Sequence, residues 1–130
     1  MADLTECDLL LLKYQERLAA AQSLHEKQYY EYTVSRAYYA MFFAARAILL
    51  IKDISPKTHR GVIMAISEHF VKTGLLSHEI WEYLAAGETL REEADYSSEQ
   101  RIDQVRSVTT IQNAHVFVEK CSQIMRSIDR

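Results

Sequence analysis

Arg36 has aromatic company at helical spacing: Tyr32 stands four residues before it, Tyr39 three after and Phe43 seven after. On a helix these positions share one face. A guanidinium among rings has two uses. It can pack by cation–π contact and take a carboxylate partner, which is a structural role. It can also hold a phosphate through a forked contact while the rings stack on bases, which is a binding role. Residue type and spacing leave both open.

Lys57, His59 and Arg60 form a second group, just after Ser55 and Pro56, which read as a helix cap and a first-turn proline. Unpaired backbone N–H groups beside cationic side chains could receive an anion there. His59 could equally cap or pack. Arg91 precedes Asp95 by one helical turn, next to Glu92, Glu93 and Tyr96. That is either a surface ion pair worth a few tenths of a kcal/mol, or the end of a helix set against Arg36, offering a carboxylate or hydroxyl to a half-buried guanidinium. Cleaving a phosphodiester beside a 2'-hydroxyl needs a proton acceptor, a proton donor and positive charge over the phosphate. Histidine and arginine can supply all three without a metal, which makes Arg36 and His59 the candidate catalytic pair.

Other chemistries find less support. Three glycines are too few and too scattered for a phosphate loop. The five histidines form no HExxH site, and Cys7 and Cys121 have neither metal nor redox spacing. No cofactor and no metal are expected. Eighteen acidic against fifteen basic side chains give a formal charge of -3, so a polyanion would need a local basic cleft. Cysteines in apolar helical stretches suit a reducing cytoplasm. The acidic start MADLTECD is unlike a signal peptide, and the apolar runs are broken by Arg or Lys before they reach membrane-spanning length, so no membrane association is expected.

The elements that must position these residues are helices throughout. The chain of 130 residues has 48% apolar content and one proline, which suits a single domain covering 1–130. Helix 1 is expected from near Thr5, as cap, to about His25. Helix 2 spans about Gln28 to Ile51, with Val34, Ala37, Tyr38, Met41, Ala45, Ile48 and Leu49 as its apolar stripe. Its opposite side carries Tyr32, Arg36, Tyr39, Phe43 and Leu50, with Ala40 and Ala47 beside them. A helix apolar on nearly all sides is either central in the monomer or shared with a second subunit. Helix 3 is expected from Pro56 to Lys72, with Val62, Ile66, Phe70 and Ile63 inward and Gly74 as its left-handed stop. Helix 4 follows Ser77 and ends near Tyr96. Gly87 within it costs about 1 kcal/mol relative to alanine, which marks a kink, a close contact or a short loop. Helix 5 takes its cap from Ser97 or Ser98 and runs to about Ile128, with Ile102, Val105, Thr109, Val116, Phe117, Cys121 and Ile124 at helical spacing over about 40 Å. The pattern predicts an all-α antiparallel bundle of about five helices.

The blocks YYEYTVSRAYYAMFFAARAILL, SPKTHRGV, HFVKTGLL and REEADY, in that order, resemble the HEPN superfamily, and in particular its small stand-alone members. The resemblance implies a helical bundle forming a homodimer, with the arginine helices of two subunits lining a shared cleft. It implies a metal-independent endoribonuclease, often a toxin paired with an antitoxin of nucleotidyltransferase fold. Members that have lost catalysis are binding or scaffold modules, and a plain structural homodimer is a further alternative. The family signature is an arginine followed within a few residues by a histidine. Arg36 matches the arginine, and Phe43 stands where close relatives place the histidine. Phenylalanine cannot move a proton, so His59, within the family-like SPKTHRG block, is the residue left to replace it. Lys57, Arg60, Arg91, Asp95 and Tyr96 are the further candidates around the cleft, with Tyr32, Tyr39 and Phe43.

Overall fold

The computed structural model describes residues 2–96 and 102–128, with side chains from residue 6 onward. Five α-helices account for it: α1 (Ala2–Glu26), α2 (Tyr30–Ile51), α3 (His59–Ile66), α4 (His78–Tyr96) and α5 (Gln104–Ile128). α3 continues into one wide π-type turn, Ser67–Val71. No strand occurs among the described residues.

Local chemistry sets the helix boundaries. α1 begins at Ala2, three residues ahead of the expected Thr5, whose side chain lies outside the described set. Gln28 turns the chain with φ 67°, so α2 starts at Tyr30 rather than Gln28. Asp53, at φ 61°, closes α2, and the amides of Lys52 and Ile54 donate back to the Leu49 carbonyl. The expected start of helix 3 at Pro56 is corrected: the cap is Thr58, whose Oγ1 accepts the Gly61 amide at 2.9 Å, and the helix begins at His59. A hydroxyl with extended backbone satisfies the orphan amide that Ser55 was expected to serve. Gly74, at φ +84°, stops the π-type turn as expected. Ser77 caps α4, and Asp103 caps α5 by accepting the Arg106 amide at 2.9 Å. Ser97 and Ser98, the expected caps of helix 5, lie outside the described residues.

α2 is the central helix. Its expected stripe of Val34, Ala37, Tyr38, Met41, Ala45, Ile48 and Leu49 is fully buried, and Ala40, Ala44 and Ala47 on the other sides are buried as well. These alanines let neighbouring helices approach closely, and α1, α3, α4 and α5 all pack on α2. α2 is long and apolar enough to cross a membrane by composition, yet 67% of that stretch is buried within this fold. The turn at Gln28 makes α1 and α2 antiparallel. α5 also runs antiparallel to α1: Tyr14 Oη bonds Ser122 Oγ at 2.7 Å near one end, and His25 Nδ1 bonds Ser107 Oγ at 2.8 Å near the other. In α5 the buried line is Ser107, Thr110, Ile111, Ala114, Phe117, Val118, Cys121 and Ile124. Val105 and Val116 were expected inward and are instead 69% and 46% exposed, because the helix packs on the adjacent face.

Gly87 is a close contact rather than a kink or a loop. α4 runs through it unbroken, and a Cβ built there would lie 2.8 Å from Met41 Cε and 3.4 Å from Tyr38 Cδ1. The missing side chain lets α4 lie against the middle of α2. That approach brings the residues following Gly87 to Tyr38.

Candidate functional site

α2 carries site residues on two of its sides. On the inner one, Tyr38 is fully buried, and its hydroxyl lies 2.7 Å from His59 Nδ1 at the start of α3. The His59 ring stacks on Phe42 at 4.3 Å and 16° between planes, and meets Tyr39 edge-on at 5.8 Å. Thr58, the cap just before it, anchors the backbone, so both ring and main chain of His59 are held. α4 supplies the rest. Glu88 Oε2 is 3.6 Å from His59 Nδ1, while Glu88 Oε1 takes two N–H groups of Arg91, Nε at 2.8 Å and Nη2 at 2.7 Å. Arg91 Nη1 reaches Asp95 Oδ2 at 2.9 Å, and the guanidinium lies 5.6 Å and 5.8 Å from the ring centres of Tyr38 and Tyr39.

This chain of contacts has defined electrostatics. Burial, reinforced by Glu88, pushes the Tyr38 phenol far above its ordinary range, so it remains a neutral hydroxyl. The hydrogen bonds from Glu88 raise the Arg91 guanidinium above its already high value, against the opposing effect of burial. Arg91 is therefore a permanent cation, 8% exposed, gripped by two carboxylates.

Arg36 occupies a different environment. It is exposed and borders an open hollow of about 510 Å³ together with Glu16, Arg17, Ala20, Tyr39 and Phe43. The expected placement of Arg91, Asp95 and Tyr96 against Arg36 is not found: Arg91 and Asp95 pair with each other and Glu88, and Tyr96 is 79% exposed. Arg36 makes no hydrogen bond or ion pair within the described residues. Nor is it the cation resting on the neighbouring rings. Lys13 and Arg17 of α1 approach Phe43 at 5.2 Å and 5.5 Å, and Arg46 approaches Phe42 at 5.9 Å. Tyr32 is 62% exposed one turn from Arg36, with its ring edge-on to Tyr29. Lys57 and Arg60 are exposed on either side of His59 in the chain.

Tyr39 is the residue common to both sides, since it borders the Arg36 hollow and touches the His59 ring. Arg36 and His59 thus stand around one aromatic shelf of Tyr39, Phe42 and Phe43, without touching each other. Sequence reasoning missed four participants. Tyr38 read as one more member of an apolar stripe, although its hydroxyl is polar. Glu88 was passed over, although it sits one turn before Arg91. Lys13 and Arg17 were hidden in an ordinary amphipathic helix, and only the packing of α1 across α2 brings them to Phe43. Among the described residues no three His, Cys, Asp or Glu side chains are grouped to hold a metal ion.

A helical bundle with an arginine of its central helix facing a cleft defines a class, and comparison with known proteins identifies it. The HEPN domain family model matches residues 8–130. This chain belongs to the HEPN domain family. Two Methanocaldococcus jannaschii proteins, each named "putative toxin", are 33% and 32% identical to it, over 94% and 95% of this chain and 83% and 91% of their own lengths. An Archaeoglobus fulgidus protein named "UPF0332 protein" is 36% identical over 88% of this chain and 91% of its own.

Proposed function

We propose that this protein is the toxin of a toxin–antitoxin pair and acts as a metal-independent endoribonuclease. One observation carries the reading. His59 is anchored through Nδ1, so that Nε2 is left for chemistry, and it stands one aromatic side chain away from Arg36, an arginine with no protein partner among the described residues. In this scheme Arg36 binds the scissile phosphate and stabilises the charge that develops on it. His59 Nε2 accepts the proton of the 2'-hydroxyl, whose oxygen attacks phosphorus to form a 2',3'-cyclic phosphate. The departing 5'-oxygen takes a proton from a second acid, which a homodimer supplies as the partner subunit's imidazole. Lys13 and Arg17 add positive charge beside Phe43, and Tyr39 and Phe43 offer ring surface to bases.

The family membership and the toxin names of the relatives support this setting. We further propose a homodimer, an antitoxin partner of nucleotidyltransferase fold and a cytoplasmic location. A second reading, a catalytically inactive RNA- or protein-binding module, is favoured by Phe43 at the place of the family histidine.

The test is cleavage of end-labelled single-stranded RNA and transfer RNA in EDTA by protein freed of any co-purified partner. The Arg36→Ala and His59→Ala proteins are run alongside, with helicity and oligomeric state matched to wild type. Products ending in 2',3'-cyclic phosphate, lost in both variants, are expected. A wild-type protein that binds RNA but never cuts it would replace the nuclease by the binding module.

A further inference from the structure

Every contact of His59 with a polar group is made through one ring nitrogen. Nδ1 lies 2.7 Å from the Tyr38 hydroxyl and 3.6 Å from Glu88 Oε2, and Nε2 has no partner among the described residues. The hydroxyl does not decide which nitrogen carries the proton, because an O–H can donate to a bare Nδ1 or its oxygen can accept from Nδ1–H. Glu88 does decide. Its charge is fixed by the double contact to Arg91 on Oε1, and its side chain is only 16% exposed. At 3.6 Å Oε2 is too far for a hydrogen bond but close enough for its charge to favour N–H over a lone pair at Nδ1.

The charges around the cluster point the same way. Glu88 and Asp95 share the single guanidinium of Arg91, so the cluster has one negative charge beyond what Arg91 neutralises. The other groups against His59 are Tyr38, Tyr39 and Phe42. Tyr38 stays neutral and the remaining two add no positive charge, so a proton on Nδ1 is the answer available to Oε2.

We propose that Glu88, held by Arg91, is a positioning residue that fixes His59 in the Nδ1–H form and so leaves Nε2 with the lone pair a general base requires. The cluster on α4 is then the reason a histidine outside α2 can do proton-transfer work, because Gly87 lets α4 come close enough to deliver Glu88. The mechanistic use of that lone pair rests on the nuclease reading. The proton position itself does not.

The experiment is a histidine-ring ¹⁵N spectrum of the full chain at about pH 8, above the ordinary imidazole range, with His59 assigned through His59→Gln. In wild type, Nδ1 should report as protonated and Nε2 as bare. Glu88→Gln should move the proton toward Nε2. It should also lower kcat for RNA at least about tenfold while KM changes less than about twofold. A wild-type His59 protonated on Nε2 overturns the proposal, and needs no variant to fold. A spectrum unchanged in Glu88→Gln overturns the role of Glu88, and Glu88→Asp serves if the amide variant does not fold. RNA left uncut by every protein, with the Nδ1–H signature present and sensitive to Glu88, would sink the nuclease reading alone.

Discussion

Arg91 grips a single oxygen of Glu88 with two of its N–H groups, Nε at 2.8 Å and Nη2 at 2.7 Å, and turns its third nitrogen to Asp95 at 2.9 Å. The guanidinium is almost wholly buried, against the rings of Tyr38 and Tyr39. Removing it leaves a carboxylate with little solvent in a low-dielectric site, so Arg91→Met is expected to destabilise by about 3 kcal/mol. Arg91→Lys keeps the charge without the fork and should lose about half as much. Urea titrations followed by circular dichroism check both, and equal losses in the two variants would show that the fork has no value beyond its charge.

Gly87 makes a second prediction, with two opposing effects. Gly87→Ala gains about 1 kcal/mol of helix propensity, while its Cβ meets the flexible end of Met41. Met41 borders a cavity of about 240 Å³ between α4 and α5 into which that end can shift, so the net change should be small. Gly87→Val adds branches toward Tyr38 and should cost about 1–3 kcal/mol. A thermal melt of each protein separates them; a neutral valine variant would contradict the close approach of α4 to α2.

Arg36 is exposed and lacks a partner among the described residues, so its loss should leave folding untouched. Arg36→Ala is expected to shift stability by no more than about 0.5 kcal/mol while abolishing RNA cleavage. Phe43→His places an imidazole on the same hollow, at the family position, and should raise the cleavage rate at least about tenfold. The two are compared by initial rates on one RNA substrate. A slower Phe43→His protein would show that the ring is needed for stacking more than the site is short of a base.

Cys121 gives the pH dependence. Complete burial holds its thiol well above the ordinary value of 9.0, so the folded chain keeps a proton that the unfolded chain releases. With the folded value raised, stability is fully present below pH 9.0 and falls as pH rises beyond it, by about 1.4 kcal/mol per pH unit for one group. Cys121→Ala should start less stable, because it leaves a cavity, and should lack that part of the alkaline slope. Urea midpoints measured under reducing conditions between about pH 8 and about pH 10 provide the comparison. Parallel slopes would mean that the thiol is reached by solvent.

Much of the fold was legible because helices obey short-range rules. The stripe from Val34 to Leu49 repeats at the helical period and is buried as read, and Gly74 stops its element through a backbone angle that glycine favours. The boundaries that were misplaced depend on competition between neighbours. Ser55 and Thr58 both have capping hydroxyls, and Thr58 is the one whose oxygen meets an amide. The phase of α5 was misread at Val105 and Val116 because a valine on the wrong side of a helix looks the same in sequence as one facing the core.

The site divides along the same line. By itself the sequence determined the helical class, the single domain, the family blocks and the two residues on which the functional reading rests, Arg36 and His59, because periodicity and residue chemistry are local properties. Tertiary structure alone decided their company. It took Arg91 and Asp95 away from Arg36 and gave them to Glu88, brought Lys13 and Arg17 of α1 to Phe43, and set Tyr38 and Glu88 on one nitrogen of His59. The physical reason is that helix contacts depend on how closely backbones approach. That distance is set by small residues such as Gly87 and Ala40, whose effect appears only when a second helix is laid against them.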